Sequence, residues 1–208
     1  MPFLLRVELP DVPGSLGRVA SAIGEAGADI EAIEIVEHRP DGTAVDDVLL
    51  ELSPGAMPDS IVSACNALDG VRVVWISRYA AGGNLFLDLE AVEDLTAHPT
   101  EALDRLVDLL PITFRADWAA RVRRSSDGRV AAVHKTGAAP ATVEFHSIDR
   151  ASRIDAPDDE INVLCGIPLE DDVEQIVVGR RGGPEFLDSE LARMGHLVAL
   201  AVSIARQG

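Results

Sequence analysis

Five consecutive residues, Asp11-Val12-Pro13-Gly14-Ser15, constrain the first eighty positions more than any other feature. Proline is well tolerated in a first helical turn, so this turn ends one element and begins another. Before it, Leu5, Val7 and Leu9 alternate as in a half-buried strand. After it, Leu16, Val19, Ala20, Ile23 and Gly27 recur at spacings of three and four, one apolar stripe on a helix. Ile30, Ile33 and Ile35 then open a β-rich run, Pro40-Asp41-Gly42-Thr43 turns the chain, and Val45 with residues 48–52 reads as the next strand. A break at Pro54-Gly55-Ala56-Met57-Pro58 precedes a second amphipathic helix (Ile61, Val62, Cys65, Leu68), stopped by Asp69-Gly70, and residues 71–76 make a last strand. The order βαββαβ predicts a ferredoxin-like α+β domain, four antiparallel strands with two helices on one face.

Ala80-Ala81-Gly82-Gly83-Asn84 is small and flexible and marks a boundary. The expected organisation is a domain over 1–79, a linker over 80–99 with some helix between Leu85 and Leu95, and a second α+β domain over 100–208. In that half, Leu103, Leu106, Val107 and Leu110 have helical spacing and end at Pro111. Two strands flank the hairpin signal Ser125-Ser126-Asp127-Gly128, and a further strand is expected near Val143-Glu144-Phe145. Residues 161–169 and 175–179 read as another hairpin, around acidic Glu170-Asp171-Asp172. A closing helix starts near Asp188-Ser189, with Leu191, Met194, Leu197, Val198, Ala201, Val202 and Ala205 in one stripe. A central antiparallel sheet between first and last helices is the expected architecture.

The segment from Leu4 to about Tyr79 resembles ACT domains, through Asp11-Val12-Pro13-Gly14-Ser15-Leu16 and Ala26-Gly27-Ala28-Asp29-Ile30 in their βαββαβ setting. The resemblance implies regulatory binding of an amino acid, often between paired modules, at Asp11, Pro13, Gly14, Ser15, Leu16, Asp29 and Ile30. The residue types suit that task. A helix starting at this turn leaves its first amides unpaired, so those of Gly14, Ser15 and Leu16 are fitted to a carboxylate, and Asp11 to an ammonium group. Asp29 stands where amino-acid-binding members often carry Asn. Two facing aspartates, Asp11 and Asp29, imply a cationic or amine-rich ligand or a disabled site.

From about Thr100 to Arg206 the chain resembles GAF domains more loosely, through Ile167-Pro168-Leu169, Ile176-Val177-Val178-Gly179-Arg180, Phe186-Leu187-Asp188-Ser189-Glu190-Leu191 and the final helix. That family implies a small-ligand pocket over the sheet, or a structural dimeriser.

Other features read as structure. The five histidines lack ligand spacing, and Cys65 and Cys165 lie among apolar residues as buried free thiols, so no metal or cofactor is expected. Gly179-Arg180-Arg181-Gly182-Gly183 reads as a basic hairpin end, and Arg121, Arg123 and Arg124 as a solvated strand face. Asp46-Asp47, Asp158-Asp159-Glu160 and Glu170-Asp171-Asp172 lack the order of a calcium loop and read as solvated turns. Trp75 and Trp118 read as core or interface anchors. No nucleophile with a base stands out.

A net charge of −17 opposes nucleic acid as a partner. No apolar stretch is long enough to span a membrane, and the N-terminus does not read as a signal peptide, so a cytoplasmic address is expected. The expected function is a non-catalytic sensor of an amino acid or related metabolite, working as a homodimer with an enzyme or signalling partner. The alternatives are a regulatory subunit of an amino-acid biosynthetic enzyme and a small enzyme with its site in the second half.

Overall fold

A computed structural model describes residues 2–78, 83–156, 161–169 and 173–208, with side chains from residue 87 onward in the helix that begins at Gly83. It separates into two compact units, Met1–Ala81 and Gly82–Gly208. No helix among the described residues is long and apolar enough to cross a membrane.

The first unit runs β1 (Pro2–Pro10), α1 (Ser15–Glu25), β2 (Ala28–His38), β3 (Thr43–Leu52), α2 (Pro58–Asn66) and β4 (Arg72–Arg78). The sheet order is β2-β3-β1-β4, antiparallel throughout, the ferredoxin-like arrangement the sequence predicts. Val19 and Ile23 of α1 and Ile61 and Cys65 of α2 pack onto Leu5, Val7 and Leu9 of β1 and Val48 and Leu50 of β3. Both helices therefore cover one face of the sheet. Pro58 takes the first helical position of α2, where its missing N–H is not needed. In β2, Ile30, Ile33, Ile35 and His38 are not spaced for strict alternation. Bulges between Ile30 and Ala32 and between Ile35 and Glu37 correct the phase. All four positions thereby share the helix-facing side with Val48 and Leu50.

In the second unit, α3 (Gly83–Ala97) occupies most of the span expected as linker, and its Ala91 and Leu95 are buried. A 3-10 turn (Pro99–Glu101) leads into α4 (Ala102–Phe114). The sequence reading ends this helix at Pro111, yet it runs one turn further. A proline there forfeits one hydrogen bond, and burial of Thr113 and Phe114 offsets the loss. The helix stops at Arg115, whose φ of 51° is left-handed.

Strands β5 (Trp118–Arg124), β6 (Val130–Lys135), β7 (Ser152–Ile154), β8 (Asn162–Pro168) and β9 (Glu174–Arg181) form an antiparallel sheet of order β6-β5-β9-β8-β7. Residues 143–145 are not a strand; Val143 and Phe145 instead pack as irregular chain on Trp118, Ala120, Val122 and Val177. Their alternation reflects side chains dropped onto a sheet face, which a period of two cannot distinguish from pairing. The closing helix α5 (Asp188–Ala205) packs Met194, Leu197, Val198 and Ala201 with Leu106, Leu110 and Phe114 of α4 over the other face.

Arg180 is a second correction. It is 3% exposed and donates to the carbonyls of Phe114, Arg115 and Pro184 and to Glu190 Oε1, so it closes the unit's core rather than ending a solvated hairpin. Glu190 Oε2 in turn accepts from the Leu187 amide and caps α5. Arg121 and Arg123 pair with Asp104 and Glu174, and Arg124 lies 4.4 Å over Phe145. Cys65 and Cys165 are free and buried. The acidic runs 158–160 and 170–172, and residues 80–82 of the expected linker, lie outside the described residues.

Candidate functional site

The turn between β1 and α1 carries most of the expected site residues. Gly14 has φ 91°, a left-handed conformation that costs an L-residue about 1–2 kcal/mol, and an added Cβ would meet nothing within 4 Å. The position requires glycine for its backbone, and it faces open space. Val12 and Pro13 are exposed, Ser15 is buried, and Leu16 packs on the core. The Ser15 amide donates to the Val12 carbonyl at 3.2 Å and is therefore not free for a ligand. Among the described residues the Gly14 and Leu16 amides have no acceptor.

Two bonds fix the turn against the hairpin joining β2 and β3. The Asp11 amide donates to the Gly42 carbonyl at 2.8 Å, and Asp11 Oδ2 lies 2.8 Å from His38 Nδ1. Asp11 is thus already engaged with the end of β2. Asp29 is placed elsewhere: it pairs with Glu51 on the face away from the helices, while the adjacent Ile30 packs into the core. Asp11 and Asp29 do not share a face, so the two facing aspartates expected from the sequence are not this pair.

A different aspartate is brought there. Asp46 pairs with Val7 on one side and Ile35 on the other, both on the helix-facing side, one rung from His38 and Ala44. It is 2% exposed, and its Oδ1 has no hydrogen-bond partner among the described residues. Burial pushes its carboxyl up from the ordinary value, the charges of Asp11 and Asp47 push the same way, and His38 opposes them. Asp46-Asp47 reads in the sequence as a solvated turn; both residues are instead buried inside β3. Asp47, on the opposite face, accepts from Arg6 Nε at 2.7 Å and Nη2 at 2.9 Å. The signal that finds Asp46 is its register, even-spaced with Val48 and Leu50 on a strand whose alternate positions are apolar.

The second unit has a cavity of about 410 Å³ on the sheet face away from its helices. Trp118, Val177, Leu164, Val143, His146 and Asp155 are among its walls. Trp118 is 3% exposed, and its indole N–H reaches no acceptor among the described residues. No three His, Cys, Asp or Glu side chains cluster as metal ligands among the described residues.

Comparison with known proteins agrees with the first unit's architecture. Residues 3–54 match the ACT domain family. Over 74 residues, 35% of this chain, the sequence is 36% identical to NAD-dependent malic enzyme 1 of Bacillus subtilis, and the matched stretch is 17% of that protein's length. Among solved structures, similarity extends to the GAF domain of an Acinetobacter phosphoenolpyruvate-protein phosphotransferase (11% identity, 62% of this chain and 95% of that one, TM-score 0.47). It extends also to the GAF domain of a putative sensor histidine kinase from Pseudomonas syringae pv. tomato (12% identity, 60% and 86%, TM-score 0.46).

Proposed function

Taking residues 3–54 as an ACT domain, a ligand-binding regulatory module, we propose that this protein is a non-catalytic sensor that binds an amino acid at the turn between β1 and α1. The observation that carries the reading is the turn itself. Gly14 and Leu16 present amides without acceptors at the start of an eleven-residue helix, beside the open space at Gly14, with the Asp11 carboxylate on the same turn. A helix N-terminus of this kind favours a carboxylate through its unpaired N–H groups and its dipole. The second unit serves dimerisation or a second ligand, and the cavity beside Trp118 supports the latter. We place the protein in the cytoplasm as a homodimer.

A second reading is that the chain regulates a metabolic enzyme as its subunit. The 36% identity over 74 residues to a stretch of NAD-dependent malic enzyme 1 supports it, because part of this chain then has a counterpart within an enzyme. Co-purification with a catalytic partner favours this reading, and a dimer that purifies alone counts against it.

The test is the thermal midpoint of the full chain with each of the twenty amino acids. A ligand selective for the folded state at a hundredfold excess over its Kd stabilises by about 2.7 kcal/mol, a shift well above measurement error. A rise with one or two amino acids, lost in Asp11→Ala, is expected. Midpoints indifferent to all twenty would sink the proposal.

A further inference from the structure

Asp46 is an unusual residue for the inside of a small domain. Its carboxylate is 2% exposed, and Oδ1 reaches no donor among the described residues. Enclosing an unpartnered carboxylate is costly, and the next rung of the same strand holds Val48, the residue type a core calls for. Nearby groups relieve little of the charge. Asp11 and Asp47 are both acidic, and Asp47 is occupied by Arg6 on the opposite face. His38 is the basic group that acts on it, and its Nδ1 is already 2.8 Å from Asp11 Oδ2. The surroundings are not sealed: Ile35, across the strand pair from Asp46, is 50% exposed.

We propose that Asp46 is the cation-recognition group of the ligand site, and that the ligand is a basic amino acid, whose side-chain cation closes on Asp46 Oδ1. The proposal rests on the reading of the first unit as an amino-acid sensor, and it names the class of ligand. Charge decides the class. Asp11, Asp46 and Glu25 outnumber Arg18, which lines the open space at Gly14, and the one imidazole of His38, so this neighbourhood is net negative even with His38 counted as a cation. A dicarboxylic amino acid adds to that excess. A neutral zwitterion brings one cation for two carboxylates. A basic amino acid brings two cations and a single carboxylate, and the carboxylate goes to the amides of Gly14 and Leu16. The orphaned oxygen then gains the donor that the free protein does not give it, and the energy held in its burial favours the bound state.

The experiment is calorimetric binding to the full chain of two matched pairs, L-lysine against L-norleucine and L-arginine against L-citrulline, with L-glutamate as the opposite charge. Each pair shares a stem and differs in the terminal cation. One basic member is expected to bind at least roughly tenfold tighter than its neutral mate, the margin of a hydrogen bond to a charged group. In Asp46→Asn that preference collapses, and Asp46→Ser reports the same if the first variant does not fold. With the wild type, affinity for the basic ligand falls on acidification as Asp46 takes up its proton. Preference kept intact in Asp46→Asn and Asp46→Ser would overturn the assignment to Asp46. Equal or tighter binding of the neutral mates or of glutamate overturns the ligand class and leaves the amino-acid sensor standing. No binding by any of the twenty amino acids overturns both.

Discussion

Asp46 and Asp47 are consecutive in β3, and the pleat of the strand gives them opposite surroundings: Asp47 meets the guanidinium of Arg6 in a two-point ion pair, while Asp46 meets no donor among the described residues. Both are 2% exposed. One is therefore expected to hold the sheet together, and the other to weaken it in the absence of ligand.

The first prediction separates them by urea denaturation of the ligand-free chain. Asp47→Asn breaks the two-point ion pair with the enclosed Arg6 and is expected to lose about 3–5 kcal/mol. Asp46→Asn removes an unpaired buried charge at constant volume and is expected to gain about 1 kcal/mol. In a unit of this size that gain corresponds to a midpoint rise of roughly 4–8 °C. Equal losses at both positions would show that Asp46 is structurally satisfied.

The second prediction concerns pH. The folded Asp46 carboxyl sits above its ordinary value of 3.8 because burial disfavours its charge. Between that value and its folded one, the native state holds more protons at this site than the unfolded state does. Stability therefore falls as pH rises through the window, and it stays lowered above it. Asp46→Asn is expected to lack this fall. Denaturation of both proteins from pH 3.5 to 7 should show curves that meet on the acid side and diverge toward neutrality.

Most of the first unit is legible because its periodicities are clean and its breaks carry Pro and Gly. Leu5, Val7, Leu9, Val19, Ile23, Ile61 and Cys65 all stand in the core where their spacing puts them. The errors have common causes. Asp29 alternates with Ile30, so its side chain takes the face away from the helices, which a motif match does not report. Asp46-Asp47 suggests solvent to any composition rule, since the ion pair that explains Asp47 lies forty-one positions away at Arg6. Arg180 fails in the same way, because its partners Phe114, Arg115 and Glu190 come from two other elements. Long-range pairing of polar groups leaves no mark in a sequence window, whereas apolar stripes do.

The third prediction sets Gly14 of the candidate site against Gly17 of α1. Neither would meet another atom within 4 Å through a new Cβ. Gly14 is left-handed, whereas Gly17 lies within α1. Gly14→Ala is expected to cost about 1–2 kcal/mol through backbone strain alone. Gly17→Ala is expected to stabilise by about 0.5–1 kcal/mol through helix propensity and a less free unfolded chain. Thermal midpoints check both. Because strain and ligand space are confounded at Gly14, a larger residue there is a poor probe of binding, and Asp46 is the cleaner position.

The fourth prediction tests whether Trp118 is held by the strand beside it. Trp118 and Gly179 are partners in the register of β5 and β9, and a Cβ at Gly179 would fall inside the van der Waals envelope of the Trp118 indole. That ring is a wall of the cavity in the second unit, and it is packed with Val143 and Phe145. Gly179→Ala must displace the indole or bend β9, and overpacking of this kind costs about 1–3 kcal/mol. The expected result is a lowered melting transition for the second unit and an altered Trp118 emission. The first unit's transition should be unmoved, since Leu5, Val19 and Ile61 belong to a separate core. Trp75→Phe removes the other tryptophan and makes the emission unambiguous. An unchanged Trp118 spectrum with full stability would mean that the indole has room to move, and that the cavity beside it is not a fixed shape.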